Sequence, residues 1–151
     1  MSLTALFAWL VTVTGGLYLL TIWVIEYDRE FQSAAQTRLP VPVISAHALL
    51  AVTGLAIWGA YLLTDTAPLA WTAAAILAVV ATLGLTMGAR WIKVYRTYAG
   101  SAVRARSATS TSVVTVPPER HFPLPVVIGH GLFATATIAL VVLTALGVGA
   151  S

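Results

Sequence analysis

The chain contains three histidines, and two of them stand at matching places in a repeated stretch. Pro40-Val41-Pro42-Val43-Ile44-Ser45-Ala46-His47-Ala48-Leu49-Leu50-Ala51 returns as Pro123-Leu124-Pro125-Val126-Val127-Ile128-Gly129-His130-Gly131-Leu132-Phe133-Ala134 at a constant offset of 83 (130 − 47, 123 − 40, 125 − 42). Two prolines, a valine, the histidine, a leucine and an alanine fall in register. Small residues (Ala46/Gly129 and Ala48/Gly131) flank each imidazole. Two neutral imidazoles at one depth suit the gripping of a single ion from opposite sides. The iron of a b-type haem needs only axial nitrogens from the protein, and helical bundles build such sites from facing side chains. Zinc and non-haem iron ask for three or four ligands, often thiolates or carboxylates. The chain has no cysteine and only two methionines, which removes disulfides, iron–sulfur clusters, thiolate metal sites and a Met-rich copper site. Only Glu26 and Asp28 approach the right depth for a carboxylate ligand, and each is better read as an interfacial charge. No Ser-His-Asp set can be assembled, although Ser45 stands two residues from His47.

A packing role is the competing reading. Duplication copies any residue, so one tolerated histidine becomes two without a shared ligand. A helix histidine near an interface can hydrogen-bond a neighbouring carbonyl or reach toward headgroups. Both readings stay open at the level of sequence, with a proton relay as a third. His121, beside Arg120, reads as an interfacial solvated residue.

The elements that must position the pair are membrane spans. In 151 residues, 59% are hydrophobic and 9% charged, with a mean hydropathy of +0.91; a soluble domain is about a quarter charged. Four apolar runs fit: about Leu3 to Ile25, Pro42 to Leu63, Leu69 to Arg90 or beyond, and Pro125 to Gly149. Each is long enough at 1.5 Å per residue to cross hydrocarbon roughly 30 Å thick. Proline suits the first turn of the second and fourth. Thr64-Asp65-Thr66-Ala67-Pro68 is a turn short enough to make spans two and three antiparallel neighbours. The N-terminus lacks a basic region and a small-residue cleavage site, so the first run reads as a retained helix.

A second alignment extends the repeat. Thr14-Gly15-Gly16-Leu17 falls on Thr82-Leu83-Gly84-Leu85 at an offset of 68, which also sets Trp23 on Trp91 and Tyr27 on Tyr95. The predicted fold is an all-α, four-helix membrane domain over residues 1–151, built from two tandem helical hairpins, 3–63 and 69–149. They form a parallel repeat about an axis along the membrane normal, with His47 and His130 at one level. The offset grows by 15 (83 − 68) between the two alignments, and the small, polar, basic segment 98–118 supplies that insertion as a flexible loop. Lys and Arg gather in loops 26–41 and 91–124, which sets those loops in the cytoplasm and both termini outside a plasma membrane. The net charge of +3 then reflects topology and lipid headgroups, and no nucleic acid is expected.

Trp23, Trp91, Tyr27 and Tyr95 fall near the cytoplasmic helix ends, where aromatic belts form. Arg90 and Lys93 lie at the same face. Lipid phosphate is their first expected partner, then Glu26, or the propionates of a haem, whose carboxylates suit a guanidinium.

At these residues the chain resembles small four-helix b-type membrane cytochromes, in which paired histidines at equal depth hold haem and exchange electrons with quinone. The match rests on His47 and His130, and with no second histidine layer the resemblance implies one haem. Pro-Val-x-x-x-His-x-Leu-x-Ala and the Ala/Val/Thr-rich spans also look like small uncharacterised integral membrane proteins of high-GC Gram-positive bacteria; that resemblance covers most of the chain and implies no activity. The expected function is a membrane redox subunit that binds one b-type haem or a quinone between helices two and four. His47 and His130 would be the axial ligands, with Arg90 and Lys93 as anion partners. The alternative is a non-catalytic assembly subunit of a larger respiratory-type membrane complex, or a homo-oligomer, with structural histidines.

Overall fold

The computed structural model describes residues 1–31, 37–105 and 117–148. Within them lie four α-helices: α1 Ser2–Phe31, α2 Val41–Thr64, α3 Ala67–Ala105 and α4 Leu124–Ala145, with a 3-10 turn at Pro118–His121. All four are long and apolar enough to cross a membrane. The helical choice follows from composition, because hydrocarbon offers no partner for a peptide group and a helix satisfies its own. Threonine, otherwise a weak helix former, is accommodated by back-bonding to the carbonyl four residues earlier. Thr12 does so to Ala8, Thr72 to Pro68 and Thr137 to Phe133, each at 2.8 Å.

The two repeated stretches open their helices in the same way. Pro40 (φ −64°, ψ 124°) and Pro123 (φ −65°, ψ 122°) are extended residues, each followed by a proline in the first turn. Proline fixes φ and lacks the N–H that a first turn would leave unpaired. The far end of α2 stops at Asp65, whose left-handed backbone (φ 51°) lets its N–H donate to the Tyr61 carbonyl at 2.8 Å. That turn folds α3 directly back along α2.

Around the bundle the helices run α1, α2, α3, α4. The broad contacts are α2 on α3 and α1 on α4; α1–α2 and α3–α4 are narrower, and the diagonal pairs α1–α3 and α2–α4 do not approach each other among the described residues. The tightest pairing is therefore between the expected hairpins and not within them. The third helix also runs further than expected. It continues through Ala105, so the first part of the segment expected as a 98–118 loop is helical. Tyr98–Ala105 holds three alanines and an arginine, good helix formers, with Gly100 alone against them. Residues 106–116 of that segment lie outside the described residues.

Two apolar clusters bracket the middle of the bundle. At the Asp65 end, Ala5, Trp9, Trp58, Ala70, Ala73, Leu77 and Val141 pack into a closed core. Trp58 Nε1 donates to the Ser2 carbonyl there, and the Trp9 ring fills the space over Gly54. At the other end, Trp23, Leu39 and Ile44 form a smaller cluster with Leu20, Tyr27, Met87 and Phe122 around them. The outer surface is apolar, with Leu3, Leu49, Leu63 and Leu85 among its most exposed side chains, as a lipid-facing exterior requires.

Candidate functional site

His47 and His130 lie between those two clusters. One ring comes from α2 and the other from the diagonal helix α4, and the centroids are 6.3 Å apart with 60° between the planes. Both rings are half-buried. Each is oriented by a backbone carbonyl of the helix it packs against. His47 Nδ1 lies 3.0 Å from the Val80 carbonyl of α3, and His130 Nδ1 lies 2.9 Å from the Thr12 carbonyl of α1. A carbonyl oxygen only accepts, so Nδ1 carries the proton and donates in both rings. In a neutral imidazole the other nitrogen then keeps a free lone pair. Neither Nε2 has a hydrogen-bond partner among the described residues.

Glycine makes those orientations possible. A Cβ at Gly16 would come 3.0 Å from His130 Cε1, and one at Gly84 would come 3.1 Å from His47 Cε1. Each imidazole thus lies edge-on against bare helix backbone. Gly16 and Gly84 belong to the segments aligned at offset 68, and the two carbonyls, two residues ahead of those segments, stand at the same offset (80 − 12 = 68). The carbonyls and the glycines therefore carry signals that the histidine motif alone does not.

Arg90 and Lys93 do not join this cluster. Both are exposed on α3 toward its C-terminal end, and the Arg90 guanidinium donates to the Arg38 carbonyl at 3.2 Å. From Gly84 to Arg90 is six residues, about 9 Å along the helix.

The charged end of the bundle is more elaborate than its loops suggest. Glu119, in the 3-10 turn, is fully buried. Its Oε1 accepts the Arg38 backbone N–H at 2.7 Å and its Oε2 accepts the Thr37 hydroxyl at 3.1 Å. Thr37 Oγ1 in turn accepts Trp23 Nε1 at 3.2 Å. The Arg120 guanidinium stands 5.5 Å over the Tyr95 ring, and His121, exposed as expected, stands 3.9 Å from Glu26. The segments before α2 and α4 are thereby stapled to each other and to α1 and α3. This covers Trp23 and Trp91, which are buried at 6% and 7% exposure; they are interior residues, where an aromatic belt would have left them open to the interface. Trp91 Nε1 is a buried donor with no partner among the described residues, a situation that costs about 1–3 kcal/mol where nothing meets it.

Comparison with known protein families, curated proteins and solved structures returns no match. Among the described residues no group of three or more His, Asp or Glu side chains converges, so the chemistry available at the centre is that of two imidazole nitrogens and apolar walls.

Proposed function

We propose that the protein is an integral membrane redox subunit that binds one b-type haem between α2 and α4, with His47 and His130 as the residues that would hold its iron. The separation of the two rings carries the reading. An imidazole nitrogen sits about 2 Å from a bound metal ion, and a ring half-width of roughly 1.2 Å on each side brings two such rings about 6.4 Å apart, centroid to centroid. The observed separation is 6.3 Å. The Nδ1–H donation to Thr12 and Val80 supports it, because a ligating histidine characteristically gives its other N–H to a carbonyl or carboxylate that fixes the ring. The same tautomer argues against an oxidised quinone between the rings. Quinone oxygens need donors, and a neutral ring bound through Nδ1–H offers none at Nε2. When bound, the haem would supply one-electron chemistry; His47 and His130 would hold it, and the Trp9/Trp58 core would keep water from the Asp65 end of the site.

The finer architecture belongs to the same proposal. The two halves form a parallel repeat about an axis along the membrane normal. In it His47 on Val80 and His130 on Thr12 are one contact made twice, each reaching from one repeat into the other. The charged end, which carries Arg38, Arg90, Lys93, Arg96 and Arg120, faces the cytoplasm of a plasma membrane. Arg90 and Lys93 lie on the side of the site where haem propionates or lipid phosphates would be met.

Purified protein, expressed with haem supplied, tests this by a reduced-minus-oxidised absorption spectrum. The expected result is a low-spin b-type spectrum in the wild type and its loss in both His47→Ala and His130→Ala. A colourless wild-type preparation, or a spectrum unchanged in the double substitution, would defeat it.

A further inference from the structure

Corresponding places on α1 and α3 are finished differently. On α1, Gly16 meets the His130 ring; Leu20, one turn on, packs into the Trp23 cluster, and Trp23, two turns on, gives its N–H to Thr37 Oγ1. On α3, Gly84 meets the His47 ring in the same way. The residue one turn on is Gly88, where a Cβ would meet nothing within 4 Å. Two turns on is Trp91, nine-tenths buried, with its Nε1 unpartnered among the described residues. Spacings of four and seven keep Gly84, Gly88 and Trp91 on one face of α3. That face includes the buried Ala73, Leu77 and Val80, so it looks into the bundle. The α1 side is therefore filled and satisfied, while the α3 side leaves room and an unmet donor.

Buried indole nitrogens ordinarily find an acceptor. From Gly84 to Trp91 is about 10 Å along the helix, the scale of a tetrapyrrole from its metal to the carboxylates of its side arms. We propose that the Trp91 indole N–H donates to a carboxylate of the haem held between His47 and His130, with Gly88 leaving the space its edge occupies. This rests on the haem reading above. It assigns the carboxylate-bearing edge to α3 and the charged end, and so fixes which way the macrocycle lies in the bundle.

Haem and haem dimethyl ester, titrated separately into detergent-solubilised apoprotein, distinguish the two claims. Wild type should bind haem about tenfold more tightly than the ester, the scale of one hydrogen bond to a charged group. Trp91→Phe should bind both about equally, and Trp23→Phe should keep the wild-type preference. The Trp91→Phe apoprotein should melt no lower than wild type, because the substitution removes a donor that has no acceptor. A Trp91→Phe protein that still prefers haem by the wild-type margin, or whose apoprotein melts as low as Trp23→Phe, overturns the assignment while leaving haem binding intact. Wild type that binds neither compound overturns both claims. If Trp91→Phe fails to fold, indole-¹⁵N-labelled wild type replaces it. One of its five indole signals should move downfield with reduced haem and not with the ester, and five unmoved signals overturn the assignment.

Discussion

His47 and His130 bring their ring centroids to 6.3 Å although the helices that carry them do not approach each other. The two side chains span a gap between diagonal helices, and each does so by leaning on the helix beside it. Position and orientation thus come from α1 and α3, which hold the rings, as much as from α2 and α4, which supply them.

Substitution of the glycines under the rings tests that division of labour. Gly16→Ala would set a methyl 3.0 Å from His130 Cε1, and Gly84→Ala one 3.1 Å from His47 Cε1. Either ring must shift by a few tenths of an ångström or break its bond to Thr12 or Val80. Each single variant should fold, since alanine favours a helix more than glycine, but should bind haem at least tenfold more weakly. Gly59→Ala, where a Cβ meets nothing, should leave affinity unchanged. Equal affinities for all three would show that the glycines do not set the rings.

The sequence announced the helices and the histidines because both signals are local: apolar length makes a span, and a rare ionisable residue in a span stands out. It also held the partners of the rings, since Gly16 and Gly84 were aligned by their neighbours, yet nothing in one dimension says which helix a histidine will lean on. That choice is tertiary. It was missed for the tryptophans too, because an aromatic residue near a helix end reads as interfacial until the loops are known to fold over it. Glu119 gave no signal, since a lone acid in a basic loop looks solvated, and its burial depends on Thr37 and Arg38 arriving from 82 and 81 residues away.

Gly54 should be the most sensitive small residue outside the site. A Cβ there would lie 2.9 Å from Trp9 Cζ2 and 3.1 Å from Ile76 Cγ2. Trp9 is a rigid ring, 1% exposed, with little room to retreat. Gly54→Ala should destabilise the protein by about 1–3 kcal/mol, as overpacking does, measured as a lower melting temperature in detergent. A melting temperature at or above wild type would mean that this end of the bundle is loosely packed.

The native chain has no cysteine, so single introduced thiols report topology without background. Asp65→Cys, at the turn between α2 and α3, should react with a membrane-impermeant maleimide on intact cells. Lys93→Cys, exposed at the other end, should react only after permeabilisation. The reverse pattern would invert the proposed orientation.

Glu119 joins the two interhelical segments, and its replacement separates packing from polarity. Glu119→Ala leaves the Arg38 N–H without its acceptor and the Thr37 hydroxyl with only the Leu39 carbonyl at 3.3 Å; a lost acceptor of this kind is worth about 1–3 kcal/mol. Glu119→Gln keeps a carbonyl oxygen for Arg38, while Thr37 Oγ1, which already accepts from Trp23 Nε1 and the Leu39 N–H, turns its hydroxyl to the Leu39 carbonyl. The expected order of melting temperatures is wild type, then Gln slightly lower, then Ala several degrees lower. If Ala and Gln behaved alike, the loss would come from the charge alone, and the hydrogen bonds to Arg38 and Thr37 would not be what closes this end of the bundle.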